Sequence, residues 1–172
     1  MTFIHYGPNW LADRFGNANP CKSVLEVALM GTNIADRDLS VVKCFKQARM
    51  VLLNGTDVKG PGLNELAHLS RLEELDLTKS AITDEGLTHL RGIQKIKRLS
   101  LARTKVSDQG VIQLQQMNHL QELDLEDTKV TDMSFQYLIH LPLKWLNVRR
   151  TLITTNGIES FQKQNPTVHV TR

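Results

Sequence analysis

Part of this chain repeats itself every 24 residues, which narrows the possible folds more than any composition figure does. The segments beginning at Leu72, Ile96 and Leu120 read LEELDLTKSAITDEGLTHL, IKRLSLARTKVSDQGVIQL and LQELDLEDTKVTDMSFQYL. Their first strand leucines, Leu75, Leu99 and Leu123, are spaced by 24. The frame runs back to Val51 and Val27. It runs forward to Leu146, 23 residues on, and to Val168, 22 further. Six repeats then start at Val24, Ala48, Leu72, Ile96, Leu120 and Leu143, and a seventh strand follows in NPTVHV. A period of this length means one small supersecondary unit per repeat, stable only when stacked on its neighbours.

Within a repeat, L-x-L alternates with period two. Leu75 and Leu77 therefore face inward while Glu74 and Asp76 face outward. The strands must run parallel, because a return segment follows each one. The return starts at Thr83-Asp84, Ser107-Asp108 and Thr131-Asp132, residues whose side-chain oxygens cap helix N-termini. Apolar residues then recur at helical spacing, as in Leu87, Leu90 and Ile93, or Val111, Leu114 and Met117. Gly62, Gly86, Gly110 and Gly157 read as packing glycines where a Cβ would push adjacent turns apart. Thr32, Thr56, Ser80, Thr104, Thr128 and Thr151 form a ladder of hydroxyls at the turn leaving each strand.

The pattern L-x-x-L-x-L-x-x-T/S-x-I/V-T/S-D-x-G-L-x-x-L resembles the leucine-rich repeat. It is closest to the type with threonine or cysteine at the ninth position, as in short bacterial repeat proteins and the ribonuclease-inhibitor-like class. The resemblance covers about Val24 to Val170 and departs at Gly60-Pro61, Met133-Ser134 and Thr155. It implies an α/β fold: a right-handed, horseshoe-shaped solenoid with short parallel strands on the concave face and short helices on the convex face. Residues 1–23 are expected to cap the array, residues 24–164 to hold the six repeats, and residues 165–172 to form the terminal strand. Trp10, Leu11 and Phe15 read as a short helix covering the first strand, with Trp10 as a binding anchor the alternative.

The outward strand positions form three rows. The first is Glu26, Met50, Glu74, Arg98, Glu122, Trp145 and Thr167; the second Ala28, Leu52, Asp76, Ser100, Asp124, Asn147 and His169; the third Met30, Asn54, Thr78, Ala102, Glu126, Arg149 and Thr171. One end of the face is apolar, at Met30, Met50 and Leu52. Its middle is acidic, at Glu74, Asp76, Glu122, Asp124 and Glu126, with Arg98 between Glu74 and Glu122. Its other end carries Trp145, Asn147 and Arg149. Met30, Met50 and Leu52 are either covered by the N-terminal segment or form a docking site. Trp145 beside Arg149 is the expected hot spot. The acidic middle favours a basic or Arg-bearing partner.

The chemistry-bearing motifs are missing. There is no H-E-x-x-H, C-x-x-C, G-x-G-x-x-G or G-x-S-x-G. His68 and His140 share a repeat position but lie three repeats apart, so no metal joins them. Asp76 and Asp124 are two strands apart, roughly 10 Å at their roots, and the open face offers no pocket to raise one pKa as an acid/base pair needs. No cofactor and no catalysis are expected. Among 172 residues, 21 Lys and Arg against 18 Asp and Glu leave a net charge of +3, too small a surplus to argue for nucleic acid. The basic clusters Lys95, Lys97, Arg98, Arg103 and Lys43, Lys46, Arg49 read as solvated faces without aromatic partners for bases. No apolar run reaches the ~20 residues of a membrane span. Cys21 and Cys44 read as buried or reduced thiols, with a disulfide between them the alternative, and with no export signal in the first residues the expected location is cytoplasmic.

The expected function is therefore a non-enzymatic scaffold that binds a protein or peptide through its concave sheet and is a monomer when alone. The alternatives are a permanently bound accessory subunit, or a repeat domain cut from a longer protein. The inward and outward assignment is open to test. Leu99→Ala should cost about 2–5 kcal/mol, as for other buried leucines, and Asp124→Ala little. Equal losses of the two in urea melts would break the assignment.

Overall fold

The computed structural model of the protein describes residues 24–172. The expected cap residues Trp10, Leu11 and Phe15 lie outside them, as does Cys21. Seven three-residue strands form one sheet in chain order: β1 (Glu26–Ala28), β2 (Met50–Leu52), β3 (Glu74–Asp76), β4 (Arg98–Ser100), β5 (Glu122–Asp124), β6 (Trp145–Asn147) and β7 (His169–Thr171). Every pairing is parallel, and Val27, Val51, Leu75, Leu99, Leu123, Leu146 and Val170 stand in one column. All but Val170 are at most 2% exposed. This is the α/β solenoid that the repeat implied.

The last register differs from expectation. The sequence frame puts Val168 in the inward column and Thr167, His169 and Thr171 in the three outward rows. The structure pairs Leu146 with Val170, Trp145 with His169 and Asn147 with Thr171. A slip of two residues keeps every side chain on its own face, so alternation cannot detect it. Val168 is also buried, which makes both valines acceptable inward residues.

The return segments change from 3-10 to α-helical character along the array. The first two are 3-10 turns, Asp36–Cys44 and Pro61–His68. Then come α1 (Asp84–Leu87) and α2 (Asp108–Val111), each continued by a 3-10 turn, then α3 (Phe135–Leu138), and finally the ten-residue α4 (Thr155–Gln164). The expected caps are in place. Thr83, Ser107, Thr131 and Thr154 each accept a backbone N–H from the first turn that they precede. Leu63 and Leu66, Leu87 and Leu90, Val111 and Leu114, and Phe135 and Leu138 bury the inner stripe. The Phe135 ring stacks on Phe161 of α4 at 4.6 Å.

Adjacent returns are joined by the aspartate of the T/S-D step. Asp84 Oδ1 accepts the Ser107 backbone N–H at 2.7 Å and its Oδ2 the Ser107 hydroxyl at 2.6 Å. Asp108 does the same to Thr131, at 2.9 and 2.7 Å, and Asp132 to Thr154, at 2.8 and 2.7 Å. Asp36 accepts the N–H groups of Lys59, Gly60 and Gly62. Gly110 and Gly157 sit under these carboxylates, while Gly62 and Gly86 pack against the backbone of Asp36 and Lys59. A Cβ on Gly110 would lie 2.4 Å from Asp84 Oδ1, and one on Gly157 2.2 Å from Asp132 Oδ1. In the fifth repeat Ser134 takes the glycine's place and donates its hydroxyl to Asp108. In the second, Gly60-Pro61 leaves no aspartate to pass on. There the backbones close up instead, and a Cβ on Gly60 would be 2.1 Å from Gly86 Cα.

The hydroxyl ladder bonds within its own coil. Thr32, Thr56, Thr104, Thr128 and Thr151 donate to the carbonyl three residues back at 2.6–2.7 Å. Ser80 breaks the series: its buried Oγ has no hydrogen-bond partner among the described residues. Threonine's branched Cβ restricts χ1, and serine lacks that restraint. Of the two sequence readings of Cys44, a reduced thiol or a disulfide, the structure has the disulfide.

The aspartate junctions carry the fold's most testable side-chain energetics. Asp108 accepts three hydrogen bonds from the next repeat, and charged bonds of this kind contribute about 1.5–3 kcal/mol each at most. Asp108→Ala should lower the unfolding free energy by about 2–3 kcal/mol in urea melts. Glu85→Ala, at an exposed position of an equivalent turn, should change it by less than about 0.5 kcal/mol.

Candidate functional site

The sheet presents its outward side chains in the registers that the repeat dictates. Glu26, Met50, Glu74, Arg98, Glu122 and Trp145 form one row, ending at His169, and Ala28, Leu52, Asp76, Ser100, Asp124 and Asn147 the next, ending at Thr171. The ladder continues past the strands. Gly31 donates to Asn54, Gly55 to Thr78, Lys79 to Ala102, Arg103 to Glu126 and Asp127 to Arg149. This aligns Met30, Asn54, Thr78, Ala102, Glu126 and Arg149 as the third row. With ~4.8 Å between strands, the face is about 29 Å across.

The second row is largely committed to its own backbone. Asp76 Oδ1 accepts the N–H of Thr78 at 2.8 Å, Asp124 Oδ1 that of Glu126 at 3.0 Å, and Asn147 Oδ1 that of Arg149 at 3.1 Å. These are Asx turns, in which the side chain bonds two residues ahead and holds the strand's exit. Asn147 also donates to Asp124 at 2.9 Å and is itself buried. The sequence reading gives these three residues as binding groups. The Asx preference for turn positions was the signal for their second task. The same reading sets aside an Asp76–Asp124 acid/base pair for want of a pocket that could raise a pKa. That reason is overturned, since a cavity is lined by both carboxylates and burial raises the Asp124 pKa. Ser100 stands in the same row between Asp76 and Asp124, and its hydroxyl meets that of Thr78 at 2.7 Å.

Because Ser100 is short, the face is hollowed there. A cavity of about 170 Å³ is lined by Glu74, Asp76, Arg98, Ser100, Glu122, Asp124 and Trp145, with Leu75 and Leu99 at its floor. Trp145 thus belongs to the acidic middle. Arg149 lies past the end of β6, at the turn that Asn147 holds, and does not line the cavity, so Trp145 and Arg149 do not share one local site. Arg98 takes one side only. Its guanidinium bonds Glu74 through Nε at 2.7 Å and through Nη2 as well. Its pKa is raised first by that hydrogen bond, against some burial, and then by the charges of Glu74, Glu122 and Glu73. Glu122 has no ion-pair partner among the described residues. Glu126 is held below the ordinary carboxylate value, first by its bond to Arg103 at 3.3 Å.

Asp124 is shifted the other way. Burial pushes its carboxyl up, the Glu126 N–H and the Asn147 amide pull it down, and the Glu126 and Asp76 charges push it up again. The net direction is up. The carboxylate in the cavity is therefore under-neutralised and gains from an incoming cation. At the other end of the face Met30, Met50 and Leu52 are half-buried and Ala28 is buried. Among the described residues no cluster of three or more His, Cys, Asp or Glu is placed to hold a metal ion. No helix among them is long and apolar enough to cross a membrane.

A family model described as leucine-rich repeat matches residues 68–90 and 116–132. No curated protein sequence matches the chain. Two solved structures share the architecture. One is a leucine-rich repeat protein of Leptospira interrogans, 19% identical with a TM-score of 0.60, covering 87% of this chain and 37% of its own. The other is internalin C2 of Listeria monocytogenes, 21% identical with a TM-score of 0.64, covering 89% of this chain and 63% of its own. The chain thus spans less than two thirds of either structure, and the likeness establishes the fold.

The raised Asp124 carboxyl makes a pH-dependent prediction. A folded-state pKa above the unfolded one means the ionised group opposes folding at neutral pH. That penalty fades as pH falls through the raised value and is gone below the ordinary carboxylate range. Asp124→Asn keeps both accepted hydrogen bonds. It should stabilise the protein slightly at pH 7, since the site is only partly buried and screened. Thermal melts across pH should show that advantage shrinking in acid.

Proposed function

We propose that this leucine-rich repeat protein is a non-enzymatic scaffold that binds a protein or peptide on its open sheet face, with a basic side chain of the partner entering the cavity at Ser100. One observation carries the reading. Glu122 and the raised Asp124 carboxyl line a hollow whose side is an indole, Trp145. Carboxylates attract an arginine or lysine, and the face of a tryptophan is the best aromatic surface for a cation. Arginine and tryptophan pairs of this kind dominate interface energies. The face is wide enough for a standard interface of roughly 800 Å² per partner.

In this reading Glu74 and Arg98 form the adjustable edge of the cavity, since an arriving cation competes with Arg98 for Glu74. Asp76 and Asn147 hold the strand exits. Glu126 and Arg149 contact the partner's periphery. The chain alone is a monomer, and nucleic acid is not its target, because the acidic middle repels phosphates. A disulfide such as that of Cys44 persists in oxidising compartments, so the cytoplasmic placement expected from sequence does not enter the reading. A second reading, a permanently bound accessory subunit, is favoured by the other end of the face. There Met30, Met50 and Leu52 are only half-buried and Leu25 is 57% exposed.

Affinity capture from a lysate of the source cells, read by mass spectrometry, tests the site. Trp145→Ala should weaken a captured partner by about 2 kcal/mol or more, roughly thirtyfold, with thermal melts showing that the variant is folded. Glu122→Lys should do the same by charge. A partner retained equally by both variants, but lost by Met50→Glu, would move the site to the apolar end.

A further inference from the structure

At the rim where the chain turns into each strand there is a second hollow, of about 310 Å³, apart from the sheet face. Its lining includes Arg49, Arg71, Glu73, Lys95, Lys97 and His119. These residues come from the approaches to four successive strands. Arg71, Lys95 and His119 are 24 apart in sequence, and so are Arg49, Glu73 and Lys97. The repeat therefore sets two files of side chains side by side. The scaffold beneath them is rigid. Glu73 N–H donates to the Arg49 carbonyl at 2.9 Å, Lys97 N–H to Glu73 at 2.7 Å, and Gln121 N–H to Lys97 at 2.8 Å.

The charges do not balance. Four permanent cations face one carboxylate, and Lys97 already pairs with that carboxylate at 3.1 Å. Lys95 Nζ reaches only the Ser70 carbonyl, at 3.2 Å. Arg49 and Arg71 are exposed and form no ion pair with any described residue. The hydrogen bond from Lys97 holds the Glu73 carboxyl below its ordinary value, and, against some desolvation, the charges of Lys97, Arg49 and Arg98 lower it further. Like charges on neighbouring strands repel, and nothing in the described chain relieves the surplus.

We propose that this hollow is a binding site for a phosphoryl group, carried by a small molecule or by a phosphorylated side chain. A phosphoryl group brings about −1.5 to −2 charges and three acceptor oxygens, which suits two guanidinium forks and a lysine better than a single carboxylate would. No aromatic ring other than His119 lines the hollow, so it offers no platform for stacking bases. None of its lining residues is apolar, so it offers a membrane nothing to bury against. The cations belong to one small depression and not to an extended stripe, which also fits a single group.

Calorimetric titration of the purified chain tests this, with inorganic pyrophosphate in one arm and a phosphoserine peptide and its unphosphorylated counterpart in the other. Saturable one-site binding of pyrophosphate, or of the phosphopeptide over its counterpart, is expected, and which arm binds tighter identifies the source of the group. Arg71→Glu/Lys95→Glu should weaken binding by about tenfold or more. Lys105→Glu/Lys129→Glu makes the same change in net charge at the opposite ends of the strands and should leave binding within about twofold. All four positions are exposed, and melts will show that both variants stay folded. The proposal is overturned if the wild type binds neither probe, if both variants lose affinity equally, or if an RNA oligonucleotide binds tighter than the phosphopeptide.

Discussion

The junction between one repeat's aspartate and the next repeat's first turn sets everything else in this molecule. A three-residue strand is too short to fix its own register, and short helical turns are marginal by themselves. The carboxylates of Asp84, Asp108 and Asp132 reach across the gap and bond both the backbone and the hydroxyl of the next capping residue. The glycine beneath lets the turns approach closely enough for that reach. One T/S-D-x-G motif thus serves twice: its hydroxyl caps its own turn and receives the previous aspartate, while its aspartate serves the next repeat. Because the same bonds recur at one spacing, the strands cannot slip relative to each other, and the outward side chains become straight rows.

The rows then divide into groups with different work. Asp76, Asp124 and Asn147 keep the strand exits in shape, so the two aspartate charges stand on the face but their geometry is not free to change. Glu122 and Trp145 have no such duty. Ser100 is where the lattice yields space, because a short side chain between two aspartates leaves a hollow that a longer one would fill. The acidic hollow and the basic rim lie at different levels of the same strands. Their separation keeps the opposite charges mostly unspent: Arg98 with Glu74 and Arg103 with Glu126 pair on the face, Lys97 with Glu73 pairs at the rim, and no ion pair among the described residues joins the two levels.

Much of this was legible from spacing alone. Leu75, Leu99 and Leu123 at a constant interval determine the column, and from the column follow the rows, the caps and the packing glycines. What was not legible had one of two causes. Where two placements have the same parity, alternation is blind, and so β7 pairs through Val170 and not Val168. Where a property depends on distance across repeats, sequence proximity misleads. Trp145 and Arg149 look like neighbours but stand two rows apart, while Arg49 and His119, seventy residues apart in sequence, line one hollow.

The turn leaving each strand shows how far the lattice can override local preference. Gly31 and Gly55 have φ of 64° and 68°, the left-handed region that glycine enters without penalty. The same position holds Lys79, Arg103, Asp127 and Arg150, at φ of 54–57°, where a side chain other than Asn or Asp costs roughly 1–2 kcal/mol. The turn persists because the N–H groups of Lys79, Arg103 and Asp127 donate into the next repeat as those of the glycines do. A bond that each repeat needs for register is therefore the bond that holds its strained residue. In return a long side chain stands at the edge of the face, and Arg103 uses its place to reach Glu126 across the gap. The strain lies along the charged middle of the sheet and is missing from the apolar end, where glycine makes the same turn.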